Sequence, residues 1–150
     1  MRHETRGFTL VELLIVAAII GIIAAIAIPG LTAAIQRARQ KRTMVELRTV
    51  ATAVSSYGTD FGYVPKLPTG TVEDLAPYLT PTYLRALPYL DGWRRAMLYY
   101  SEGLDYTVWS TGSDGLMQAG PPMGGTTSYA DDMIIVNGIF VQWPEGMQVN

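Results

Sequence analysis

An uncharged apolar segment, residues 13–28, is the most distinctive part of the hydrophobic pattern. With its flanks it extends over 22 residues, from 8 to 29, which as a helix measure about 33 Å and can cross a bilayer. The segment is apolar on every side, as in a helix surrounded by lipid or by other helices. Because Pro29 has no amide hydrogen, we expect the helix to kink there or to end its first part.

After Pro29 the pattern becomes that of an amphipathic helix, which we place at residues 30–61. Apolar residues recur at steps of three and four and form one stripe, which comprises Leu47, Val50, Val54, Tyr57 and Phe61. Gly58 and Gly62 bracket the expected end of the helix. The stripe predicts that a globular domain, residues 62–150, covers this half of the helix.

The first part of that domain is punctuated by prolines. Five of them lie between residues 58 and 91, which predicts a loop that wraps the amphipathic helix. Thr71 and Asp74 have the spacing of a helix cap, so residues 72–76 are expected to form a short helical turn. The expected packing residues of this segment are Leu67, Leu75, Tyr78, Leu79, Leu84 and Leu87.

Strand patterns follow. Four segments are rich in aromatic and aliphatic residues: 96–100, 106–110, 133–136 and 139–143. Asn137-Gly138, between the last two, is a strong signal for a two-residue hairpin turn. The pattern therefore predicts an α+β fold, in which a long N-terminal helix packs against a small antiparallel sheet of about four strands.

Composition excludes most catalytic chemistries. The chain has no cysteine, and its one histidine, His3, lies near the N-terminus. Without these residues beyond position 3, a Ser-His-Asp triad, a thiol nucleophile or a His-ligated zinc site cannot form. No constellation of carboxylates points to an enzyme either. We therefore expect a protein that is not an enzyme.

One carboxylate, Glu12, lies at the start of the apolar segment. A charge this close to hydrocarbon is unfavourable unless a positive partner offsets it. Glu12 belongs to the stretch Gly-Phe-Thr-Leu-Val-Glu (residues 7–12), which follows a basic leader and precedes the apolar helix. This combination resembles the processing site of type IV pilins and their relatives.

The resemblance implies a defined maturation and location. A prepilin peptidase would remove the leader, residues 1–7, by cleavage between Gly7 and Phe8, and would methylate the new terminus at Phe8. Glu12 would pair with the terminal amine of a neighbouring subunit in a homo-oligomeric filament. The resemblance also implies a single span in the bacterial inner membrane and a C-terminal domain in the periplasm, with assembly into a periplasmic or extracellular filament.

Three other interpretations of the apolar segment stay open. It could be a plain membrane anchor, or a secretory signal peptide cleaved after the small-x-small sequence Ala25-Ile26-Ala27. A buried core helix of a soluble protein is disfavoured by the length of the segment and by its lack of a polar face.

Charge near the span raises a conflict. Four basic residues lie in the run 37–42 after the span, against two in the leader, and basic flanks usually stay in the cytoplasm. The pilin motif requires the opposite orientation and is the more specific signal. The run itself has the pattern of a solvated helix face or of a contact with anionic headgroups or acidic neighbouring subunits. Without the leader the net charge is −3 (9 basic minus 12 acidic residues), and no aromatic residues interleave with the basic run, so we expect no nucleic-acid partner.

The stretch 111–130 has no periodic pattern and holds five glycines and two prolines. A loop this long is usually functional, pinned or disordered. Carboxylates and hydroxyls lie at both of its ends, and such oxygen ligands suit calcium. Ser-Asp-Gly clusters also form ordinary turns, so an ordinary structured loop is the alternative.

A narrower resemblance covers this region. Asp91, Trp93 and Tyr100, followed by Ser-Thr-Gly-Ser-Asp-Gly at residues 110–115, resemble segments of the major pseudopilin of type II secretion systems, the G-type subunit. That family binds calcium in the corresponding loop. The resemblance implies a calcium site with Ser110, Asp114 and Asp131 or Asp132 as ligands, helped by backbone carbonyls.

These features lead to one functional interpretation and two alternatives. We expect a structural subunit of a type II secretion pseudopilus that drives protein export, with minor pseudopilins and the secretion machinery as partners. The alternative within the same class is a type IV pilus subunit for motility, adhesion or DNA uptake. The alternative from another class is a binding module anchored by a single span.

Overall fold

The computed structural model describes residues 7–118 and 124–149. The predicted leader, apart from Gly7, and the middle of the predicted calcium loop, residues 119–123, lie outside the described residues. The chain divides into two compact units, Met1–Ile35 and Gln36–Asn150. The first consists mainly of apolar helix, and the second contains the sheet.

The helix, α1, extends over 52 residues, Leu10–Phe61, with Pro29 inside it. Of the two outcomes expected at Pro29, a kink or an end of the first part of the helix, the end is therefore wrong. Pro29 removes only one hydrogen bond of the helix, the one that an amide at this position would donate to the carbonyl of Ala25, and the helix continues through it.

The second part of α1 has the predicted amphipathic character. Its buried residues are Gln40, Thr43, Leu47, Val50, Ala51, Ala53, Val54 and Tyr57. Phe61 is an exception to the predicted stripe, since it is 55% exposed, although its ring lies 4.5 Å from that of Tyr57. Gly62, in the left-handed region at φ 76°, donates its amide hydrogen to the carbonyl of Gly58 and ends the helix.

The sheet has six strands: β1 (Leu67–Thr71), β2 (Leu98–Ser101), β3 (Tyr106–Ser110), β4 (Gly124–Ser128), β5 (Met133–Val136) and β6 (Ile139–Val149). Their order is β1-β2-β3-β5-β6-β4. All neighbours are antiparallel except β4 and β6, which are parallel. The α+β fold class is confirmed.

Two strands were not predicted, so the expected number of four is too low. β1 contains Pro68 and Gly70, and β4 has the sequence Gly-Gly-Thr-Thr-Ser, so neither carries an apolar alternation. Both lie at the ends of the strand order, where proline and glycine are tolerated. The same edge position allows β4 to add to β6 in the parallel direction.

The two predicted turns are confirmed. A 3₁₀ turn, Val72–Leu75, leads into α2 (Ala76–Leu79), and the Asp74 carboxylate accepts hydrogen bonds from both the amide and the hydroxyl of Thr71. Asn137 and Gly138 both have positive φ, 47° and 82°, as a type I′ hairpin turn requires.

The core lies between one face of the sheet and α1. Tyr99, Val108, Met133 and Ile135 are fully or almost fully buried against the apolar stripe of the helix. Of the predicted packing residues, Leu75 and Leu79 are completely buried and Leu67, Leu84 and Leu87 are partly buried, whereas Tyr78 stays exposed. Alternate residues of β3 and β5 face the opposite side of the sheet.

Candidate functional site

The predicted cleavage site precedes the helix. Gly7 and Phe8 lie before α1 begins at Leu10, and the Phe8 side chain is 80% exposed. A protease needs such an accessible segment outside regular structure. The predicted scissile bond between Gly7 and Phe8 therefore lies outside regular structure, beside an exposed side chain.

Glu12 is held by a residue that the sequence analysis did not single out. Its Oε2 accepts hydrogen bonds from the amide and the hydroxyl of Thr9, both 2.9 Å, and Thr9 Oγ1 accepts one from the Glu12 amide. This is the reciprocal pattern of a capping box, and the Thr-x-x-Glu spacing at residues 9–12 is its sequence signal. In a single chain, Glu12 thus caps the helix.

The first part of α1 has no covering surface within the described chain. It is the one helix among the described residues that is long and apolar enough to cross a membrane, and none of its most apolar window is buried. Its large side chains are exposed from Leu10 to Leu31. An apolar surface of this extent requires lipid or other helices around it.

The basic run after this segment is a solvated face in the single chain. Arg37, Arg39, Lys41 and Arg42 are all exposed. Arg42 makes a helix-surface ion pair with Glu46, at 2.7 Å. Pairs of this kind contribute only about 0.3–0.5 kcal/mol, so the run has little role in the fold and stays accessible to partners.

A turn centred on Asp91 holds the loop region to the helix. Asp91 is almost completely buried, and its carboxylate accepts hydrogen bonds from the amides of Trp93 and Arg95, at 2.9 Å, and from Ser110 Oγ, at 2.6 Å. Arg95 in turn donates to the carbonyl of Gly112, at 3.0 Å. The Asp-x-Trp pattern is therefore a structural turn that positions the start of the predicted calcium loop.

The same turn contacts α1 closely. The Gly92 amide donates to Thr43 Oγ1 at 2.9 Å, and Trp93 Nε1 donates to Gln36 Oε1 at 2.7 Å. A Cβ on Gly92 would collide with the carbonyl of Arg39, so only glycine fits at this position. Sequence reasoning missed this contact, because spacing along the chain does not show which backbone segments meet.

The structure separates the four predicted metal residues into two groups. Ser110 faces the core and donates its hydroxyl hydrogen to Asp91. Asp132 lies on the other side of the sheet, where burial raises the pKa of its carboxyl group, and the charges of Asp114 and Asp131 raise it further. Within residues 7–118 and 124–149, no three Asp, Glu or His side chains are arranged to hold a metal ion.

Backbone oxygens add to the acidic group. A Cβ on Gly112, which has φ 58°, would lie 2.5 Å from the carbonyl oxygen of Ala130 and 2.7 Å from that of Asp131. Gln118 holds the same segment, since its side-chain amide donates to Asp131 Oδ1 and its backbone amide donates to Asp132 Oδ2. Gly112 therefore leaves space beside two carbonyl oxygens that a larger residue would fill.

Two family profiles together match most of the chain. Residues 2–28 match the profile described as the prokaryotic N-terminal methylation motif. Residues 30–123, more than half of the chain, match the profile described as type II secretion system (T2SS), protein G. No solved structure matches the chain.

Individual relatives agree with the profiles. The type II secretion system core protein G of Pseudomonas aeruginosa is 29% identical over 126 residues, which cover 76% of this chain and 87% of the relative. Its counterpart in Escherichia coli is 30% identical over 131 residues, 79% of this chain and 83% of the relative. The type IV major pilin protein PilA of Myxococcus xanthus is 50% identical, but over 54 residues, 36% of this chain and 24% of the relative. The chain belongs to the type II secretion system protein G family.

Proposed function

We propose that the chain is a structural subunit of a type II secretion pseudopilus, anchored in the inner membrane and assembled through residues 8–29, most of which form the first part of α1. The observation that carries the proposal is the unbroken exposed apolar surface of this segment, with a single carboxylate at its start. Lipid covers such a surface before assembly, and other copies of the same helix cover it afterwards. The role is mechanical, and no catalytic step is assigned to the chain.

Maturation would prepare the helix for assembly. Cleavage by a prepilin peptidase between Gly7 and Phe8 would create a new terminal amine, four residues before Glu12. The amine of one subunit would then pair with Glu12 of its neighbour. Because the helix rises about 1.5 Å per residue, the pairing would offset neighbouring helices by about 6 Å plus the reach of the side chain.

Crosslinking tests this arrangement directly. The chain contains no cysteine, so any disulfide between introduced cysteines reports a designed contact. We expect Val16→Cys in one copy to crosslink with Ile20→Cys or Ile23→Cys in another, in membranes and in sheared filaments. The same-height pair, Val16→Cys in both copies, is the matched control and should crosslink much less. A chain that stays monomeric in every combination would support the anchored binding module instead.

Mass spectrometry of the mature N-terminus tests the processing step. We expect the chain to begin with a methylated Phe8. An intact Met1 would indicate a plain anchor, and a chain that begins at Ile28 would indicate a signal peptide. Either result would contradict the proposed assembly, because an uncut leader leaves no free amine at Phe8 and cleavage before Ile28 removes Glu12 itself.

Complementation separates the pseudopilus from the type IV pilus. The pilin match is confined to 54 residues, whereas the protein G matches extend over three quarters of the chain, which favours the pseudopilus. We expect the gene to restore export of secreted enzymes in a strain that lacks its own protein G. Restoration of pilus-dependent motility in a strain without its major pilin, with no restored export, would favour the pilus.

Calcium is proposed as a structural cation of the loop. The oxygen-rich donor set fits this ion: Asp114, Asp131 and the carbonyl oxygens beside Gly112 are all hard ligands. Ser110 is engaged by Asp91, so we assign it no more than a backbone role. Calcium bound there would neutralise the local acidic charge and link the loop after β3 to the segment before β5.

Thermal unfolding of the full chain, in detergent micelles, tests the calcium proposal. We expect calcium to raise the melting temperature relative to a chelator, and Asp114→Asn to remove most of the difference. Asp105→Asn, in a different loop, is the control and should leave the calcium effect intact. Equal melting temperatures with calcium and with chelator would refute the site.

A further inference from the structure

The exposed apolar surface of α1 continues beyond Pro29. Leu31 and Ile35 are 63% and 43% exposed, and no charged residue occurs between positions 13 and 35. These 23 residues measure about 35 Å as a helix, slightly more than the hydrocarbon core of a bilayer, which is about 30 Å thick. If the segment spans the membrane as proposed, the residues directly after Ile35 lie at the level of the lipid headgroups.

The residues at this level are basic and accessible. Arg37, Arg39 and Lys41 are exposed, and no ion pair between the described residues involves any of the three. Arg42 is exposed as well, but its guanidinium group is engaged by Glu46. Three cations are therefore available to an anionic partner at the end of the apolar surface.

The charge of the chain changes sign after this run. Residues 30–45 contain four basic residues and no acidic one, a net charge of +4. Residues 46–150 contain five basic and eleven acidic residues, a net charge of −6 (5 minus 11). A surface of negative charge therefore attracts the stretch next to the apolar segment and repels the rest of the domain.

The three cations are distributed around the helix. At about 100° per residue, Arg37 and Arg39 lie about 160° apart, and Lys41 lies about 40° from Arg37. The face between the two arginines carries Gln40 and Thr43, which are buried in the domain. A protein that docks on one side of the helix reaches only part of this set, whereas a layer of headgroups surrounds an emerging helix and reaches all of it.

A distant part of the chain adds a fourth cation beside the same turns of α1. Trp93 Nε1 donates to Gln36 Oε1 at 2.7 Å, and Gly92 packs directly against the backbone of Arg39. Arg94, the next residue, is exposed and has φ 66°, a left-handed conformation that glycine adopts more readily than arginine. Tryptophan is also enriched at membrane–water interfaces, so this turn has the composition of a headgroup contact.

We propose that Arg37, Arg39, Lys41 and Arg94 bind the phosphate groups of anionic phospholipids where α1 leaves the bilayer. A guanidinium group donates two parallel hydrogen bonds to phosphate oxygens, and the lysine adds a point charge. The bound headgroups hold the stored subunit at one depth in the membrane, and the subunit gives up these contacts when it enters a filament. The inference rests on the proposed membrane span and adds a lipid partner to it.

Lipid selectivity of the full chain in vesicles tests the inference. The chain is reconstituted in phosphatidylcholine vesicles with a trace of spin-labelled phosphatidylglycerol or spin-labelled phosphatidylcholine, and electron paramagnetic resonance measures the fraction of label held at the protein. We expect a preference for phosphatidylglycerol of about threefold or more at low ionic strength. Salt should reduce this preference, because it screens exposed charges. Equal association of the two lipids at low ionic strength would overturn the proposal.

Variants identify the binding residues. Arg37→Gln combined with Arg39→Gln should lower the preference to less than about 1.5-fold, since two of the four cations are lost. Lys66→Gln combined with Arg85→Gln is the matched control, because it removes two exposed positive charges elsewhere in the domain and should keep the preference. The melting temperature checks that both double variants fold. A full preference in the first double variant would show that the basic run does not bind the lipid.

Two further measurements separate this inference from the membrane span and from a protein partner. Flotation with neutral vesicles tests the span alone: a chain that does not float would overturn the span and the inference together, whereas a chain that floats without lipid selectivity would overturn the inference only. Filament yield in a shearing assay tests the other partner. If Arg37→Gln with Arg39→Gln lowered the yield but kept the lipid preference, the run would bind an acidic surface of a neighbouring subunit and the lipid proposal would be wrong.

Discussion

Asp91 supports the turn that joins the loop region to α1, so replacing its side chain should lower the free energy of unfolding substantially. Asp91→Ala deletes the acceptor of three hydrogen bonds, two from backbone amides and one from Ser110 Oγ. Each bond to a charged group contributes about 1.5–3 kcal/mol, but the loss is not additive, because the turn can relax and admit water. We therefore expect a destabilisation of about 4 kcal/mol.

Two more conservative variants separate the contributions of the individual hydrogen bonds to this loss of stability. In Asp91→Asn the amide oxygen can still accept both backbone hydrogen bonds, and the new N–H₂ group can donate to the Ser110 hydroxyl oxygen, so we expect a loss of about 1–2 kcal/mol. Ser110→Ala leaves one carboxylate oxygen of Asp91 buried without a partner and should cost about 2 kcal/mol. The wild type should therefore be the most stable, followed by Asp91→Asn and then by Asp91→Ala.

Thermal unfolding of the full chain, followed by near-ultraviolet circular dichroism in micelles, measures these differences. One kcal/mol corresponds to about 4 °C for a domain of this size, so Asp91→Ala should lower the melting temperature by about 15 °C. Asp105→Asn, at an exposed position, serves as the control. If Asp91→Ala lost less than about 1 kcal/mol, or no more than Asp91→Asn, the three hydrogen bonds would not be what holds the turn.

Three further predictions concern the helix and the surface. Glu12→Gln keeps the oxygen that Thr9 needs but loses the charge, so filament yield in a shearing assay should fall sharply, whereas Thr9→Val keeps the charge and should assemble. Gly92→Ala should destabilise the fold by at least about 2 kcal/mol in the same melting assay, because its Cβ meets a helix carbonyl that cannot move. A hydrogen bond to Asp60, at 2.6 Å, is the largest cause that raises the pKa of Tyr83 to about 12. The stabilisation of the fold by this bond is therefore fully present below pH 10, the pKa of an unperturbed tyrosine, and is lost as the pH rises toward 12. In Asp60→Asn, absorbance titration should show that Tyr83 ionises nearer pH 10.

Each of these predictions has a result that contradicts it. Normal filament yield from Glu12→Gln would exclude the ion pair, and failure of Thr9→Val would show that the cap matters more than the charge. An unchanged melting temperature for Gly92→Ala would mean that the turn shifts freely away from the helix. An unchanged absorbance titration for Asp60→Asn would attribute the high pKa of Tyr83 to its aromatic neighbours. Gly92→Ser is a useful second variant, because its Cβ meets the same carbonyl.

Sequence periodicity was sufficient for the elements that bury an apolar face. The amphipathic stripe of α1 and the strands β2, β3, β5 and β6 all carry such a face, and the structure contains them. Edge strands do not need one. β1 and β4 are held by backbone hydrogen bonds to a neighbour that was already in place, so no local pattern marks them.

The candidate sites divide in the same way. Gly7, Phe8 and Glu12 lie in one short stretch, so their relation is local and the sequence displays it. Whether Ser110 and Asp132 meet in one site depends on the face of the sheet on which each side chain lies, and the two lie on opposite faces. A cavity lined by Trp109, on the sheet face turned away from α1, joins residues of four strands and a loop, so it becomes visible only when the strand order is known.

The capping role of Glu12 changes what its pairing with a neighbour can achieve. In the single chain its carboxylate already accepts two hydrogen bonds from Thr9. Assembly would therefore exchange these bonds for an ammonium partner, while the amide and the hydroxyl of Thr9 lose theirs, so the net gain is smaller than that of pairing a bare charge. The apolar surface of α1 is in contact with lipid before assembly and with other apolar helices after it, so it also contributes little net hydrophobic free energy to assembly. The proposed pairing at Glu12 would then select one axial offset among many helix contacts of similar free energy.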